Sequence, residues 1–573
     1  MCGIYVSLSD QTYCEPTSNL SKLLCRRGPD YIGHEKTQIQ DVNRSQIYIS
    51  FTSTVLGLRG ERISQQPFRS EKSGSIFCWN GEAWKIGTDC VEGNDGQIIF
   101  EKLIKASSFE NNSDATAAVL KLLKSISGPF AFVYFDNFHN QLYYGRDRLG
   151  RRSLLYKDEN KKAILELCSI SDQNDDRWIE VEPDGIYQIS MIDETNLTQT
   201  QPSDLPNSTN TSARLQKQKW KYCETSSPCV SSISSSLSLD AKSTQSLYYF
   251  LEKSLRLRTS KISIPPGTKD ASNTPLAILF SGGLDCTVLA RIVHDILPSN
   301  QEIDLLNVAF ENPRVVQATR STLMPGKDHH MIFPEDSPFE LCPDRKTGRC
   351  SLKELKEVCP GRTWRFVAIN VPYSEYLAHK QNLIDLIYPH NTEMDLSIAS
   401  ALYFASRGSG LAAVEPIKIL KPYVTPARVL LSGLGADELF GGYSRHSLAF
   451  RRSGFPGLLY ELELDLNRLG KRNLGRDDRV ISHWGKEARY PFLDEALVKW
   501  AIESPIPEKC GFGISKNFKP TNFEFEPGKL VLRLLSYKLG MISTAMEKKR
   551  AIQFGARTAK METSKVKGST PLS

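Results

Sequence analysis

The sequence predicts two domains of different build, the second a doubly wound α/β fold. A chain of 573 residues exceeds what one hydrophobic core serves, so two or three domains are expected. After residue 243, apolar runs alternate with helical spacing. Leu276–Phe280, Ile303–Phe310 and Trp364–Val371 read as parallel strands, with helical patterns between and after them, such as Met394–Ala405. Before residue 190, strand patterns dominate: Ile4, Val6 and Leu8 alternate, and 128–135 and 142–147 read as two sheet strands joined by a turn. The expected division is 1–190, a linker or insertion at 191–242, a second domain at 243–560 and a polar tail at 561–573.

The bulk composition narrows the class. A net charge of +7 is small for this length and does not argue for nucleic acid. Mean hydropathy is −0.33 and no apolar run approaches a membrane span, so a soluble protein without a membrane partner is expected. The 13 cysteines are scattered without a Cys-x-x-Cys pair, and no leader pattern precedes the first strand, which fits reduced thiols in the cytoplasm. Cys342, Cys350 and Cys359, with His329 and His330, match no standard zinc spacing and read as loop or core thiols. Residues 196–245 are rich in Ser, Thr, Asn and Gln, with too little apolar content to fold alone. Ser243 is the expected cap of the helix that follows.

In the first domain the chemistry begins at Cys2. Removal of Met1 would leave a thiol beside a free α-amine that titrates near neutrality and can serve as its base. Leu58-Arg59 ends an apolar strand on an arginine suited to bidentate binding of a carboxylate. Phe77-Cys78-Trp79-Asn80-Gly81 is a strand ending in a turn that presents a side-chain amide and a backbone N–H together, as an oxyanion hole requires. Asp95 opens a helix, where it reads either as a ligand or merely as the N-cap. Together and in this order these motifs resemble the class II glutamine amidotransferase domain, an α+β fold of the Ntn-type sandwich kind. The resemblance implies Cys2 as nucleophile, Asn80 and Gly81 as oxyanion hole, and glutamine held by Arg59, Asn80, Gly81 and Asp95. The stretch from Arg59 to Gln66-Pro67 is shorter than in typical members.

The second domain is organised around Ser281-Gly282-Gly283-Leu284-Asp285-Cys286-Thr287, between a buried strand and a helix start. Two glycines allow close backbone approach, and the helix N-terminus offers N–H groups to phosphate. Asp285 would repel phosphate unless a cation stands between, so ATP or pyrophosphate with Mg²⁺ is the natural partner. A plain strand–turn–helix with glycines for packing is the alternative. The Gly-Lys-Ser/Thr of a Walker A loop is absent. Ser432-Gly433-Leu434-Gly435-Ala436-Asp437 repeats the design, which would let Asp285 and Asp437 share the metal. Arg476-Asp477-Asp478-Arg479 and 485–494 are dense in charge, and a solvated face is their plain reading.

Ser-Gly-Gly-x-Asp resembles the signature of ATP pyrophosphatases. With Ser432–Tyr443 and Arg476–Asp494, the whole resembles a divergent subgroup of the glutamine-dependent asparagine synthetases. That resemblance implies ATP contacts by Ser281, Gly282, Gly283, Asp285, Cys286, Thr287, Gly433, Gly435 and a late cation, Lys549 or Arg550. It also implies that ATP and aspartate give β-aspartyl-AMP and pyrophosphate, and that ammonia from glutamine crosses an internal passage to complete asparagine. In that family the second turn carries a glutamate that assists the ammonia step; here the position is Leu434. Three readings follow: an asparagine-forming ligase, the same scaffold acting on another carboxylate, and a nucleotide-binding scaffold without catalysis.

Overall fold

The structure is a computed structural model. It describes residues 2–40, 46–158, 164–171, 177–191, 214–219, 237–260, 262–263, 274–322, 337–414, 419–513, 523–562 and 567–572. Most of the expected linker at 191–242, and His329 and His330, lie outside these residues. The chain divides into two units, Met1–Tyr222 with Leu469–Arg479, and Cys223–Arg468 with Val480–Ser573.

The first unit contains two six-stranded sheets. One runs, in spatial order, Ile179–Glu180, Leu155–Asp158, Leu165–Cys168, Gly3–Ser9, Gln46–Val55 and Tyr31–Gln40. The other runs Arg214–Lys219, Gly185–Ser190, Gln141–Arg146, Phe130–Asp136, Ile76–Gly81 and Phe68–Arg69. Alternation along the strands sets the layers. Ile4, Val6 and Leu8 meet Ile76, Cys78, Val133 and Phe135 in a core between the sheets. The intervening residues Phe77, Trp79, Phe132 and Tyr134 point the other way, onto helices Asp95–Ala106 and Asn112–Ser125. Helix Ser18–Arg27 lies on the outer face of the first sheet, where a side chain on Gly3 would strike Leu24. The order helix, sheet, sheet, helices agrees with the expected α+β sandwich. A strand at Arg214–Lys219, inside the segment read as linker, extends the second sheet beside Gly185–Ser190.

The second unit is built on a seven-stranded sheet. Its parallel part runs Trp364–Val371, Ile303–Phe310, Leu276–Leu279, Val429–Leu431 and Glu487–Arg489. Chain order reverses between Leu276–Leu279 and Val429–Leu431, so right-handed crossovers put helices on both faces, and a crevice opens at the carboxyl ends of these two strands. The predicted strands Ile303–Phe310 and Trp364–Val371 form as read. A hairpin, Ser409–Val414 with Ile419–Val424, adds an antiparallel edge that periodicity did not signal. Its outer strand is exposed except at the half-buried Tyr423, so no burial alternation marks it.

Two further differences have simple causes. Ser243 lies within the first turn of helix Lys242–Thr259, whose N-cap is Ala241 with no side-chain cap bond. The polar tail is pinned: Thr570 O and Gly568 O accept from Glu393 N and Met394 N, satisfying donors at the start of helix Glu393–Arg407.

Arg476–Arg479, read as a solvated face of the second domain, is buried and clusters with the first unit. Burial requires each charge to be matched. Arg27 Nη2 bonds Asp478 Oδ2 at 2.7 Å, Ser153 N donates to the same oxygen at 3.1 Å, and Arg479 Nη1 meets Glu180 at 3.2 Å. Both members of the Arg27–Asp478 pair are fully buried. Asp478→Ala would leave Arg27 buried without that carboxylate and is expected to cost about 3–5 kcal/mol. Urea unfolding of the first unit checks it; an unchanged midpoint would contradict the pairing.

Candidate active sites of the two units

In the first unit, Cys2 sits at the end of its strand beside Asn80, on the neighbouring sheet. Cys2 N donates to Asn80 Oδ1 at 2.9 Å. That bond fixes the orientation of the amide. Asn80 is fully buried, and its Nδ2 has no hydrogen-bond partner among the described residues. A buried amide donor left open beside a thiol is what a tetrahedral oxyanion needs. Gly81 is required by packing: a Cβ there would lie 2.7 Å from Pro129 O.

Asp95 and Arg59 lie on the same side of the strand end. The helix cap is Asn94, which accepts from Gln97 N at 3.0 Å, so Asp95 is not the N-cap. Asp95 Oδ2 instead accepts from Ala83 N at 2.8 Å and from the Trp79 indole at 3.0 Å. Burial raises this carboxyl above its ordinary range, while Arg59, Ala83 N–H and the indole oppose the shift. Arg59 donates to Ala83 O at 2.8 Å and Val91 O at 2.7 Å, and lies 3.6 Å from Glu82.

In the second unit the two glycine turns follow adjacent parallel strands, so the reversal point brings them together. Gly283 caps helix Leu284–Ile296. Ser281 Oγ accepts from Gly283 N at 3.3 Å and lies 3.7 Å from Cys286 Sγ. Thr287 Oγ1 is buried without a hydrogen-bond partner among the described residues. Gly282 has φ +80°, and a Cβ there would lie 2.4 Å from Gly348 N. Helix Pro343–Val358 thus walls the turn; Ser351 Oγ donates to Gly282 O at 2.7 Å. Gly433 packs on Asp285, leaving 2.8 Å between an added Cβ and Asp285 Cβ. Gly435 leads into the short buried helix Ala436–Phe440, and the Leu434 N–H bonds Ser432 Oγ at 3.3 Å.

Asp285 and Asp437 converge on one ammonium. Lys529 Nζ lies 2.8 and 2.7 Å from the Asp285 oxygens and 2.8 Å from Asp437 Oδ1. Lys549 Nζ meets Asp437 Oδ2 at 2.7 Å. Burial raises Asp285, with the neighbouring Asp437 adding to it; Lys529 and Lys549 overcome the same burial at Asp437 and hold it below the usual carboxylate range. Burial would depress Lys529, but the two carboxylates raise it instead. Asp285 and Asp437 are hard oxygen donors that could hold Mg²⁺, and the Lys529 ammonium occupies the point where they meet.

Lys529 was not found from sequence. Its signal was a lysine at the head of Leu530–Leu535, apolar but for Arg533, where a buried charge must have a partner. Asp344 was also missed, because an acid in the first turn of a helix is ordinary. It is buried 3.7 Å from Arg550 Nη1, and burial pushes its carboxyl up to about 7. Cys342 and Cys359 are buried and Cys350 exposed; none of the described cysteines forms a disulfide. No cluster of three or more His, Cys, Asp or Glu suited to a metal occurs among the described residues.

Family models for a glutamine amidotransferase domain and for asparagine synthase match residues 1–173, and 423–461 with 456–519. The relatives are more particular. Asparagine synthetase domain-containing protein 1 of Bos taurus is 33% identical over 99% of this chain and 97% of its own, and that of Homo sapiens 34% over 98% and 96%. Asparagine synthetase B [glutamine-hydrolyzing] of Escherichia coli K12 is 24% identical over 86% of this chain and 73% of its own. The chain belongs to the family of asparagine synthetase domain-containing protein 1.

Gly442 permits the acid–lysine cluster. A Cβ there would lie 1.9 Å from Asp437 Oδ1 and 2.3 Å from Lys529 Cε. Gly442→Ala is expected to destabilise the second unit by about 1–3 kcal/mol through overpacking, read as a lowered melting transition. An unshifted transition would contradict the packing of this cluster.

Proposed function

We propose that the chain is a glutamine-hydrolysing, ATP-dependent ligase that amidates aspartate to asparagine by way of β-aspartyl-AMP. The observation that carries this reading is the meeting of Asp285 and Asp437 on Lys529 where two glycine turns adjoin. Polyphosphate needs backbone N–H groups, cations and a metal held by carboxylates; the glycine turns, Lys529 with Lys549, and Asp285 with Asp437 would serve these needs in turn. Ser281, Gly282, Gly283, Cys286, Thr287, Gly433 and Gly435 would line the nucleotide, with Lys529 and Lys549 countering its charge. Asp285 and Asp437 would hold Mg²⁺, which when bound neutralises phosphate charge.

In the first unit, with Met1 removed, the Cys2 α-amine takes the thiol proton. The sulfur bonds the glutamine amide carbon, and Asn80 Nδ2 with Gly81 N–H stabilises the oxyanion. The C–N bond then breaks, the proton passes to nitrogen, and ammonia leaves. Water cleaves the thioester to glutamate. Arg59 would hold the α-carboxylate and Asp95 the α-amine. In the second unit, carboxylate attack on the α-phosphorus releases pyrophosphate, and ammonia displaces AMP from the acyl carbon.

A second reading rests on Leu434, which has no group to accept a proton in the ammonia step. General-base help is worth about 10²–10⁴-fold, so this chain would then stop at the acyl-adenylate or serve another carboxylate. One assay separates the readings: purified protein with Mg²⁺, ATP, glutamine and aspartate, followed by AMP, pyrophosphate, glutamate and asparagine. All four are expected, with glutamate lost in Cys2→Ala. Absence of aspartate-dependent pyrophosphate would remove the first reading. Where asparagine forms, Leu434→Glu is expected to speed its formation, and a slower variant would contradict this account of the position.

Asp95 supplies a pH test. A raised carboxyl loses its charge at higher pH than an ordinary aspartate, so the KM for glutamine is expected to climb as pH falls toward that raised value. Asp95→Asn should show a high KM that no longer varies over this range. A wild-type KM flat down to pH 4 would contradict the role.

A further inference from the structure

Gln66 is buried and held from both ends of its amide. Trp79 N donates to Gln66 Oε1 at 2.8 Å, and Gln66 Nε2 faces Cys2 Sγ at 3.9 Å. The Trp79 N–H settles which end is which, since the flipped amide would set two donors against each other. Asn80, the next residue along the strand, holds Cys2 N. Two successive residues of one strand therefore fix both the nitrogen of Cys2 and the amide beside its sulfur.

The charged and titratable neighbours are already engaged or neutral. On the packed helix Ser18–Arg27, alongside Lys22, Cys25 and Arg26, Arg27 points Nε to Cys2 O at 3.4 Å and pairs with Asp478. On the flanking strands, Glu166 bonds Tyr5 and Lys157, Asp136 bonds His139, and Tyr48 packs on Tyr13. Tyr134 bonds Ser107, while Cys78 and Cys168 are buried thiols pushed up to about 12 by burial. A thiolate formed here needs a donor that burial does not remove.

We propose that Gln66 donates a hydrogen bond to the Cys2 thiolate, and so is a further catalytic residue of the glutaminase half-reaction. The inference rests on the reading of Cys2 as nucleophile. A neutral donor suits a sulfur that alternates between thiolate and thioester, because no ion pair must be broken as the bond to carbon forms.

Gln66→Glu separates this role from bracing. It keeps the shape and an oxygen for Trp79 N–H but replaces the donor with a carboxylate. The readout is the rate of Cys2 alkylation by iodoacetamide against pH, followed on the N-terminal peptide by mass spectrometry. In Gln66→Glu the alkylation midpoint is expected to rise by about one pH unit or more, slowing reaction at pH 7 roughly tenfold. The kcat for glutamate release should fall while KM for glutamine stays within about twofold. Gln66→Leu should shift the profile in the same direction. Profiles that overlay wild type in Gln66→Glu would overturn the proposal and leave Gln66 as a brace. Alkylation requires no glutamine. A wild-type protein that releases no glutamate, yet shows the shift on substitution, would remove the glutaminase reading and keep the bond to sulfur.

Discussion

Asp285 and Asp437 can be buried side by side because Lys529 lies between them. Two carboxylates in one pocket repel, and burial adds a desolvation penalty to each. An ammonium within 2.8 Å of both removes the conflict, and Lys549 supplies a second positive charge on Asp437. Other features follow from this meeting. Gly433 and Gly442 are small because side chains there would enter the space of the acids and the lysine. The turns adjoin because their strands, Leu276–Leu279 and Val429–Leu431, are parallel neighbours.

The first unit solves a related problem with dipoles. Strand Ile76–Gly81 distributes its polar groups around the thiol: the Trp79 backbone orients Gln66, its indole orients Asp95, and the Asn80 side chain orients Cys2. Every one of these bonds is between buried groups. A partner lost here leaves a donor or acceptor without water to replace it. Asn80 Nδ2, without a hydrogen-bond partner among the described residues, is the group the proposed oxyanion would use.

Much of the second unit was legible because periodicity is strongest in buried strands and amphipathic helices. Ile303–Phe310 and Trp364–Val371 are apolar runs between polar turns, and their bounds needed no correction. What sequence missed has a common cause. Lys529 stands 244 residues from Asp285, and only the folded chain brings them together. Arg476–Arg479 looked like a solvent face because local charge density says nothing of distant partners such as Arg27. The edge hairpin at 409–424 escaped because its outer strand buries too little to alternate. Asn94 took the cap next to Asp95 because cap identity depends on backbone angles at single residues.

In the proposed function the Asp285–Lys529–Asp437 cluster would receive magnesium–ATP. Calorimetric titration of Mg·ATP into wild type and Asp437→Asn tests it most directly, since Lys529 keeps Asp285 as its partner in the variant. Binding is expected to depend on magnesium in wild type and to weaken at least about tenfold in Asp437→Asn, a loss of one charged contact or more. Equal affinity in the two proteins, or wild-type binding indifferent to magnesium, would contradict it.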